Sequence, residues 1–267
     1  METKKTIYQW LALSWLFILI GASLIIRFKN FESFNEVNVE KIFELPSQMH
    51  WLGTDSLGRD FLTRILKGSG ISLLIGFQSL VISILISFFY GGLSGWLGKR
   101  YDTILMIFLD IWMSIPATVL AAIVGLLLMN HTDSILMVSI VIGSTHWGRM
   151  ARLVRGEAMR LREKTYIQSS VALGASSYQI LRTHFIPHLI TLFAIYVIYQ
   201  IPSLILAESF LSFIGIGVQS PETSWGILLS EGWRSFQVFP HVVFFPAGFL
   251  FLTILSLNSI MSKSENR

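Results

Sequence analysis

The chain has 267 residues, of which 53% are hydrophobic and 13% are charged, and its mean hydropathy is +0.63. This composition is too apolar for an ordinary soluble domain and indicates one membrane domain. The formal net charge is +4 and cysteine is absent, which excludes disulfide bonds and thiolate metal ligands.

Apolar runs long enough to cross a bilayer recur along the chain, and each crossing needs about 20 mostly apolar residues. The first run, residues 7–26, has no small-residue cleavage site of the signal-peptide kind, so we expect it to stay in the protein as an anchor. We therefore predict an all-α membrane protein with six transmembrane helices, at residues 7–26, 71–97, 103–129, 134–150, 189–214 and 238–261.

Lysine and arginine positions predict the orientation, because short cytosolic loops carry an excess of both residues. With six crossings both termini lie on one side, and placing them in the cytosol puts the larger basic group inside. That group is Lys4, Lys5, Lys99, Arg100, Arg149, Arg152, Arg155, Arg160, Arg162, Lys164, Arg182, Lys263 and Arg267, against Arg27, Lys29, Lys41, Arg59, Arg64, Lys67 and Arg234 outside. The isoelectric point near 9.4 then reflects loop charge facing anionic membrane lipid, and no basic face for nucleic acid is visible.

A polar segment, HWLGTDSLGRD from His50, precedes the second apolar run. Asp55 and Asp60 flank Ser-Leu-Gly-Arg, a pattern typical of a glycine-containing turn whose carboxylates accept backbone N–H bonds. We interpret these two acids as structural.

Two acids, Asp110 and Glu208, lie inside predicted transmembrane helices, where a carboxylate costs about 2.5 to 3.5 kcal/mol on insertion scales. Each either faces a polar pathway or another subunit, or is hydrogen-bonded to a neighbouring helix. For Asp110 the structural alternative is slightly favoured. For Glu208, near the outer end of its helix, we expect partial hydration to offset the cost.

The longest cytosolic connection contains the stretch VALGASSYQILRTHFIPHL. Apolar spacing on both sides of Gly174 predicts two short helices. Gly174 can take a positive φ after the first helix, and Ser176 or Ser177 can cap the second. Pro187 is expected to end that helix before the chain re-enters the membrane. Small residues at the turn would let another protein approach closely, so we predict a cytosolic docking finger.

This loop resembles that of the permease subunits of ATP-binding cassette importers, whose pattern is E-A-A, three residues, G, nine residues and I-x-L-P. Gly174 and Pro187 match at the right separation, and Ile186 stands for Leu. Gln-Ser-Ser replaces Glu-Ala-Ala, which removes a charge that the family's loop usually offers its ATPase. The resemblance implies an ATPase-coupling loop made of Gln168, Ser169, Ser170, Ala172, Gly174, Ala175, Ser176, His184 and Pro187.

Two further stretches are similar to the peptide and nickel permeases: HWLGTDSLGRD from His50 and LAESFLSFIGIGVQSPETSWGILLSEG from Leu206. DIWMSIPATVLA from Asp110 resembles the family's third crossing, while Gly70 stands where the family usually has Arg. The similarity covers nearly the whole chain. It implies a type I ABC importer transmembrane domain with cytosolic coupling helices at residues 71–262, after an N-terminal helix and extracytoplasmic segment at 1–70 and before a cytosolic tail at 263–267.

The resemblance implies a permease subunit of a bacterial cytoplasmic membrane that imports di- or oligopeptides by alternating access, with nickel or a metal chelate as the alternative cargo. The implied partners are a homologous permease in a heterodimer, two ABC ATPase subunits and an extracytoplasmic solute-binding protein. ATP and Mg²⁺ would be used by the ATPases. This chain has no G-x-x-x-x-G-K-[ST] phosphate loop, and we expect it to bind no cofactor.

Two other classes of function stay open. A membrane-embedded enzyme would use Asp110 or Glu208 as acid or base, but neither has a second reactive group at chemical spacing. A self-contained channel or secondary transporter would often show an internal repeat, and none is visible. His184 and His188 have a metal-ligand spacing, but Pro187 between them argues against a metal site. We predict no catalytic and no metal-binding residue.

Overall fold

The computed structural model describes residues 2–28, 37–128 and 133–261. Within these ranges the chain is built from helices joined by turns, with a 3₁₀ turn at Val39–Lys41 and a π-helical turn at Leu181–Phe185. The α-helices are α1 (Glu2–Phe28), α2 (Phe61–Trp96), α3 (Lys99–Ser114), α4 (Ala117–Leu128), α5 (Ser134–Thr145), α6 (Gly148–Arg162), α7 (Thr165–Ala172), α8 (Ser177–Ile180), α9 (Ile186–Phe213), α10 (Trp225–Trp233) and α11 (His241–Met261).

The central element is α2, whose 36 residues span about 54 Å at 1.5 Å per residue. It begins ten residues before the predicted crossing because the Asp60 carboxylate caps it, accepting the Thr63 N–H at 2.9 Å. The domain boundary expected at residue 70 falls inside this continuous helix. Small residues let α6 approach closely, since a Cβ on Gly91 would lie 2.3 Å from the Ala151 carbonyl oxygen.

The third predicted crossing is not one straight helix. α3 and α4 meet at 86°, with Ile115 extended (φ −87°, ψ 128°) and Pro116 after it. Proline has no N–H and disfavours helical geometry in the preceding residue, so the helix breaks there. The crossing predicted over 103–129 is therefore bent rather than straight, and residue 129 lies outside the described ranges.

The fourth predicted crossing, 134–150, is also divided. The 12 residues of α5 span about 18 Å, less than the roughly 30 Å of a hydrocarbon core. After His146 and Trp147 the chain continues as α6, an amphipathic helix whose apolar face, including Met150, Val154 and Ala158, is buried against α2.

The buried core lies between α2, α4, α5 and α9, around Ile75, Val141, Ile142 and Leu204. Three helices of the described ranges are long and apolar enough to cross a membrane singly: Tyr8–Ile26, Phe61–Trp96 and His241–Ile260. Counting the bent α3–α4 pair as one crossing makes a fourth.

Candidate functional site

The finger, defined here as residues 165–180, turns sharply at Gly174. Gly174 has φ +86°, and its N–H donates to the Val171 carbonyl at 3.0 Å, while Ala175 donates to that of Ser170 at 2.9 Å. These two bonds form a Schellman motif, which satisfies the last carbonyls of α7 and needs a left-handed residue at its centre. The expected positive φ of Gly174 is confirmed.

Ser176 starts the second half of the finger. Its hydroxyl accepts the Gln179 N–H at 3.3 Å, and the Gln179 side chain accepts the Ser176 N–H at 2.8 Å. This reciprocal pair is a capping box. Of the two serines proposed as the cap, Ser176 is the one that makes these bonds.

The tip of the finger presents apolar side chains outward. Leu173 is 89% exposed, Tyr178 67% and Val171 55%. Ile167 and Ile180, in contrast, are buried. An exposed apolar tip on a well-hydrogen-bonded turn has the form of a contact surface for another protein.

Pro187 does not end the second helix, contrary to expectation. The chain stays helical from Ser177 to Phe213, because Leu181–Phe185 widens into a π-turn in which the Ile186 N–H donates to the Leu181 carbonyl, five residues back. A π-turn accommodates a residue that cannot donate to the carbonyl four residues back. The finger is thereby joined to α9 through helix rather than through loop.

The two histidines that follow the finger contact different neighbours. The His184 ring lies against Tyr166 with centroids 5.4 Å apart, whereas His188 Nε2 lies 3.1 Å from Glu157 Oε2. In the described part of the chain no three His, Asp or Glu residues cluster in a metal-binding arrangement. Gln168 and Ser169 are exposed on α7.

Glu208 lies deep in the core rather than in partial contact with water, so the hydration expected for it was wrong. Its side chain is fully buried, and it accepts hydrogen bonds from the hydroxyls of Ser72 and Ser212, both at 2.8 Å. Ser72 belongs to α2 and also accepts the Trp225 N–H at 3.2 Å. Glu208 therefore connects α9 to α2 and, through Ser72, to α10, which offsets the cost of burying its carboxyl group.

Asp110 lies at the surface of the chain and pairs with α6. Its side chain is 64% exposed, and its Oδ1 lies 2.6 Å from Arg152 Nη2. Two turns further toward the start of α3, Arg155 donates to both Asp102 oxygens. Whether Asp110 contacts a second subunit stays a prediction.

A partly polar pocket of about 500 Å³ lies where two helix interruptions meet a proline-containing stretch of α9. It is lined by the α3–α4 corner at 115–117, by the α5–α6 break at 145–149, and by α9 on both sides of Pro202, through Gln200 and Ser203. Interrupted helices leave backbone groups unpaired, and at membrane depth these are tolerated where they line a cavity that holds water or solute. Walls of this kind can hold water or a polar solute.

The segment before α2, named here the α2 cap (residues 37–60), contains polar contacts that the sequence did not reveal. Asp55 accepts the Leu57 and Arg59 N–H groups at 2.8 and 3.0 Å, as expected of a turn. Its other oxygen lies 2.6 Å from Nη1 of the buried Arg64, which also lies 2.6 Å from Glu231 on α10. One of the two acids that pair with Arg64, Glu231, is far away in the sequence. The spacing of neighbouring residues therefore could not predict a role for Arg64.

Comparison with known proteins identifies relatives that are membrane transport components. The family model described as "Binding-protein-dependent transport system inner membrane component" matches residues 83–267. The oligopeptide transport system permease protein OppC of Haemophilus influenzae is 41% identical over 211 residues, 79% of this chain and 67% of that protein. The dipeptide transport system permease protein DppC of Bacillus subtilis is 34% identical over 260 residues, 93% of this chain and 78% of that protein.

OppC of Escherichia coli K12 is 40% identical over 211 residues, 79% of this chain and 69% of that protein. The family match covers most of the chain, and the relatives are matched over two thirds or more of their length. The apolar helices are those of a protein that passes the membrane several times. The chain belongs to the family of binding-protein-dependent transport system inner membrane components.

Proposed function

We propose that the chain is one of two permease subunits of an ATP-binding cassette importer and forms half of the translocation pathway for di- or oligopeptides. The family consists of transport components rather than enzymes, and relatives named as oligopeptide and dipeptide permeases favour peptides over nickel as the cargo. The second half of the pathway comes from a homologous permease, and peptide is delivered by an extracytoplasmic binding protein.

Six crossings with both termini in the cytosol suit the helices. α1, α2, the bent α3–α4 pair, α5 with the start of α6, α9 and α11 supply them. The bend at Ile115–Pro116 and the break after α5 then both lie at membrane depth, where they line the pocket. In this arrangement the basic helix α6 and the finger lie in the cytosol, in keeping with the positive-inside rule.

The finger docks on one of two ATPase subunits, which bind ATP and Mg²⁺ in place of this chain. The observation that carries this step is the tip itself, a left-handed turn that holds Leu173, Val171 and Tyr178 exposed. Because the finger continues into α9 through helix, displacing it tilts the helix that carries Gln200 and Ser203 into the pocket. ATP-driven closure of the ATPases thereby shifts the balance between outward-open and inward-open states.

The test compares two substitutions at Gly174 in the complete importer. Gly174→Val strains a left-handed turn by about 1 to 3 kcal/mol and adds bulk at the tip, whereas Asn accepts that conformation more readily. We expect Gly174→Val to insert normally but to lose ATPase association and hydrolysis stimulated by the loaded binding protein, with Gly174→Asn close to wild type. A Gly174→Val complex that assembles and couples normally would refute the docking role.

The orientation is tested by cysteine labelling, which has a clean background because the chain has no cysteine. Val39→Cys, at a position 71% exposed, should react in intact cells with a reagent that does not cross membranes. Ser176→Cys should react only after the cells are opened. Labelling of Ser176→Cys in intact cells would show that the orientation is the opposite of the one proposed.

A further inference from the structure

A groove lined by apolar side chains lies between the end of α2 and the π-turn that follows the finger. Its volume is about 300 Å³. Phe89 and Leu93, which are 61% and 52% exposed, line it from α2, and Leu181 and Phe185 line it from the π-turn. Gly92 also lines the groove, and a Cβ added there would lie 3.4 Å from the Phe185 ring. The absence of a side chain at Gly92 therefore leaves room between the two helices.

The groove lies at the end of a predicted membrane crossing. α2 is apolar enough to cross a bilayer over Phe61–Trp96, and charged residues follow directly at Lys99 and Arg100. Trp96, the last residue of α2, lines the groove. Tryptophan is enriched at the boundary between the hydrocarbon core and the lipid head groups. The groove therefore covers the last turns of the crossing and ends at the level of the head groups.

Arg162, the last residue of α6, places a positive charge at this end of the groove. Its Nη1 donates to the Trp96 carbonyl at 3.4 Å, which holds the guanidinium beside the groove. Three other arginines of α6, namely Arg152, Arg155 and Arg160, each pair with a carboxylate. Within the described ranges Arg162 pairs with none. An arginine without a carboxylate partner keeps donors available for a phosphate, whose oxygens suit the planar guanidinium.

The neighbouring residues add further positive charge. Lys99 and Arg100 begin α3 directly after α2, and Arg182 lies in the π-turn; all three side chains are exposed. The stretches 99–102 and 162–164, together with Arg182, hold five cations and two acids. One of those acids, Asp102, already accepts hydrogen bonds from Arg155. The excess of positive charge attracts an anion to the end of the groove.

We propose that the groove binds an anionic phospholipid of the cytosolic leaflet, with an acyl chain along Phe89 and Leu93 and the phosphate at Arg162. An apolar groove that ends in cations at head-group level matches both parts of such a lipid. Basic pockets between helices on the cytosolic side bind acidic head groups in the same way. The proposal goes beyond the proposed function and takes from it only the orientation of the helices.

The experiment identifies the occupant of the groove by photocrosslinking. The complete importer, with Leu93→p-benzoylphenylalanine, is placed in nanodiscs of phosphatidylcholine with a minority of phosphatidylglycerol and irradiated. The mass of the adduct on the intact chain distinguishes the two lipids from each other and from the second permease. The same label at Phe77, exposed on α2 about 24 Å from Leu93, samples the lipid away from the groove.

We expect phosphatidylglycerol to be enriched over its share of the bilayer in adducts at Leu93 and not in adducts at Phe77. Arg162→Gln should lower this enrichment about fivefold, which is the contribution of one basic residue near an anionic membrane surface. The matched control is Arg160→Gln on the same helix. It should leave the enrichment unchanged, because Arg160 already pairs with Glu157. Gly92→Leu, which fills the groove without changing its charge, should abolish the enrichment.

Several outcomes overturn the lipid site. Adducts with the second permease would make the groove a contact between subunits, and lipid adducts in bilayer proportion would make it an ordinary lipid-facing surface. Equal losses in Arg162→Gln and Arg160→Gln would assign the enrichment to general surface charge. Enrichment that survives Gly92→Leu would exclude an acyl chain in the groove. Copurification with the ATPases checks the assembly of each variant, and the label at Leu93 in the otherwise unchanged importer identifies the occupant without any of them.

Discussion

The α2 cap and the finger both turn on a glycine with positive φ, yet the surroundings of the two glycines differ. At Gly58, φ is +73° and an added Cβ would lie 1.8 Å from the Asn38 carbonyl oxygen. At Gly174, φ is +86° and an added Cβ would meet no atom within 4 Å. The cap therefore needs glycine for both conformation and space, whereas the finger needs it for conformation alone.

The exposure of the side chains also differs between the two segments. Asp55 of the cap and Arg64 of α2 are 3% and 5% exposed and pair with each other, whereas the finger tip exposes Leu173 almost completely. Charged side chains that are paired within the cap and with α2 contribute to stability. A turn whose backbone groups are hydrogen-bonded and whose apolar side chains are exposed to solvent is suited to contact a partner. Changes in the cap should therefore act on folding, and changes in the finger on assembly.

The largest effect is expected for Arg64→Met. This change removes the α2 partner of the buried Asp55 carboxylate and of Glu231. Arg59 still pairs with Asp55 at 2.7 Å, so we expect the lower end of the cost of breaking a buried pair, about 3 kcal/mol. The measurement is denaturant unfolding of the purified chain in detergent. The matched control is Lys67→Met on the same helix, whose part-exposed partner Glu222 lies 3.4 Å away, and it should cost about 1 kcal/mol or less. Equal losses for both variants would contradict a stabilising network in the cap.

The next largest effect is a difference in unfolding free energy between alanine substitutions at the two glycines. Gly58→Ala should cost on the order of 3 kcal/mol, because backbone strain adds to the overlap with Asn38. Gly174→Ala should cost only about 1 kcal/mol, from strain alone. Unfolding both variants under the same conditions checks the difference, and a Gly174→Ala loss as large as that of Gly58→Ala would show that the turn at Gly174 is closely packed.

The smallest effect on stability is expected at the exposed apolar tips. Leu173→Ser in the finger and Met49→Ser in the cap, where Met49 is 81% exposed, should each change the free energy of unfolding by less than about 0.5 kcal/mol. Only Leu173→Ser should weaken ATPase binding, by about tenfold, since it removes apolar area from the proposed contact. Titration of the permease pair with ATPase measures this. Equal ATPase binding by both variants would remove Leu173 from the docking surface.

Local features were predictable where neighbouring residues alone determine the structure. Apolar runs located most of the long helices, because a crossing needs an apolar surface whatever its neighbours are. The Gly174 turn and its Ser176 cap followed from backbone rules that involve only a few adjacent residues. The structural role of Asp55 and the family of the chain were likewise readable from short motifs.

What the tertiary structure decided is which distant groups meet. The sequence contains Pro116 and Pro202, but only packing brings the α3–α4 corner, the α5–α6 break and α9 together around one pocket. Packing also buries Glu208 among serines from two helices, and within the described ranges it gives Arg152 and Arg155 an acid on α3 but gives none to Arg149. Periodicity and capping act over a few residues, whereas the pairing of a charge depends on which helix faces it, and that is fixed only when all helices pack.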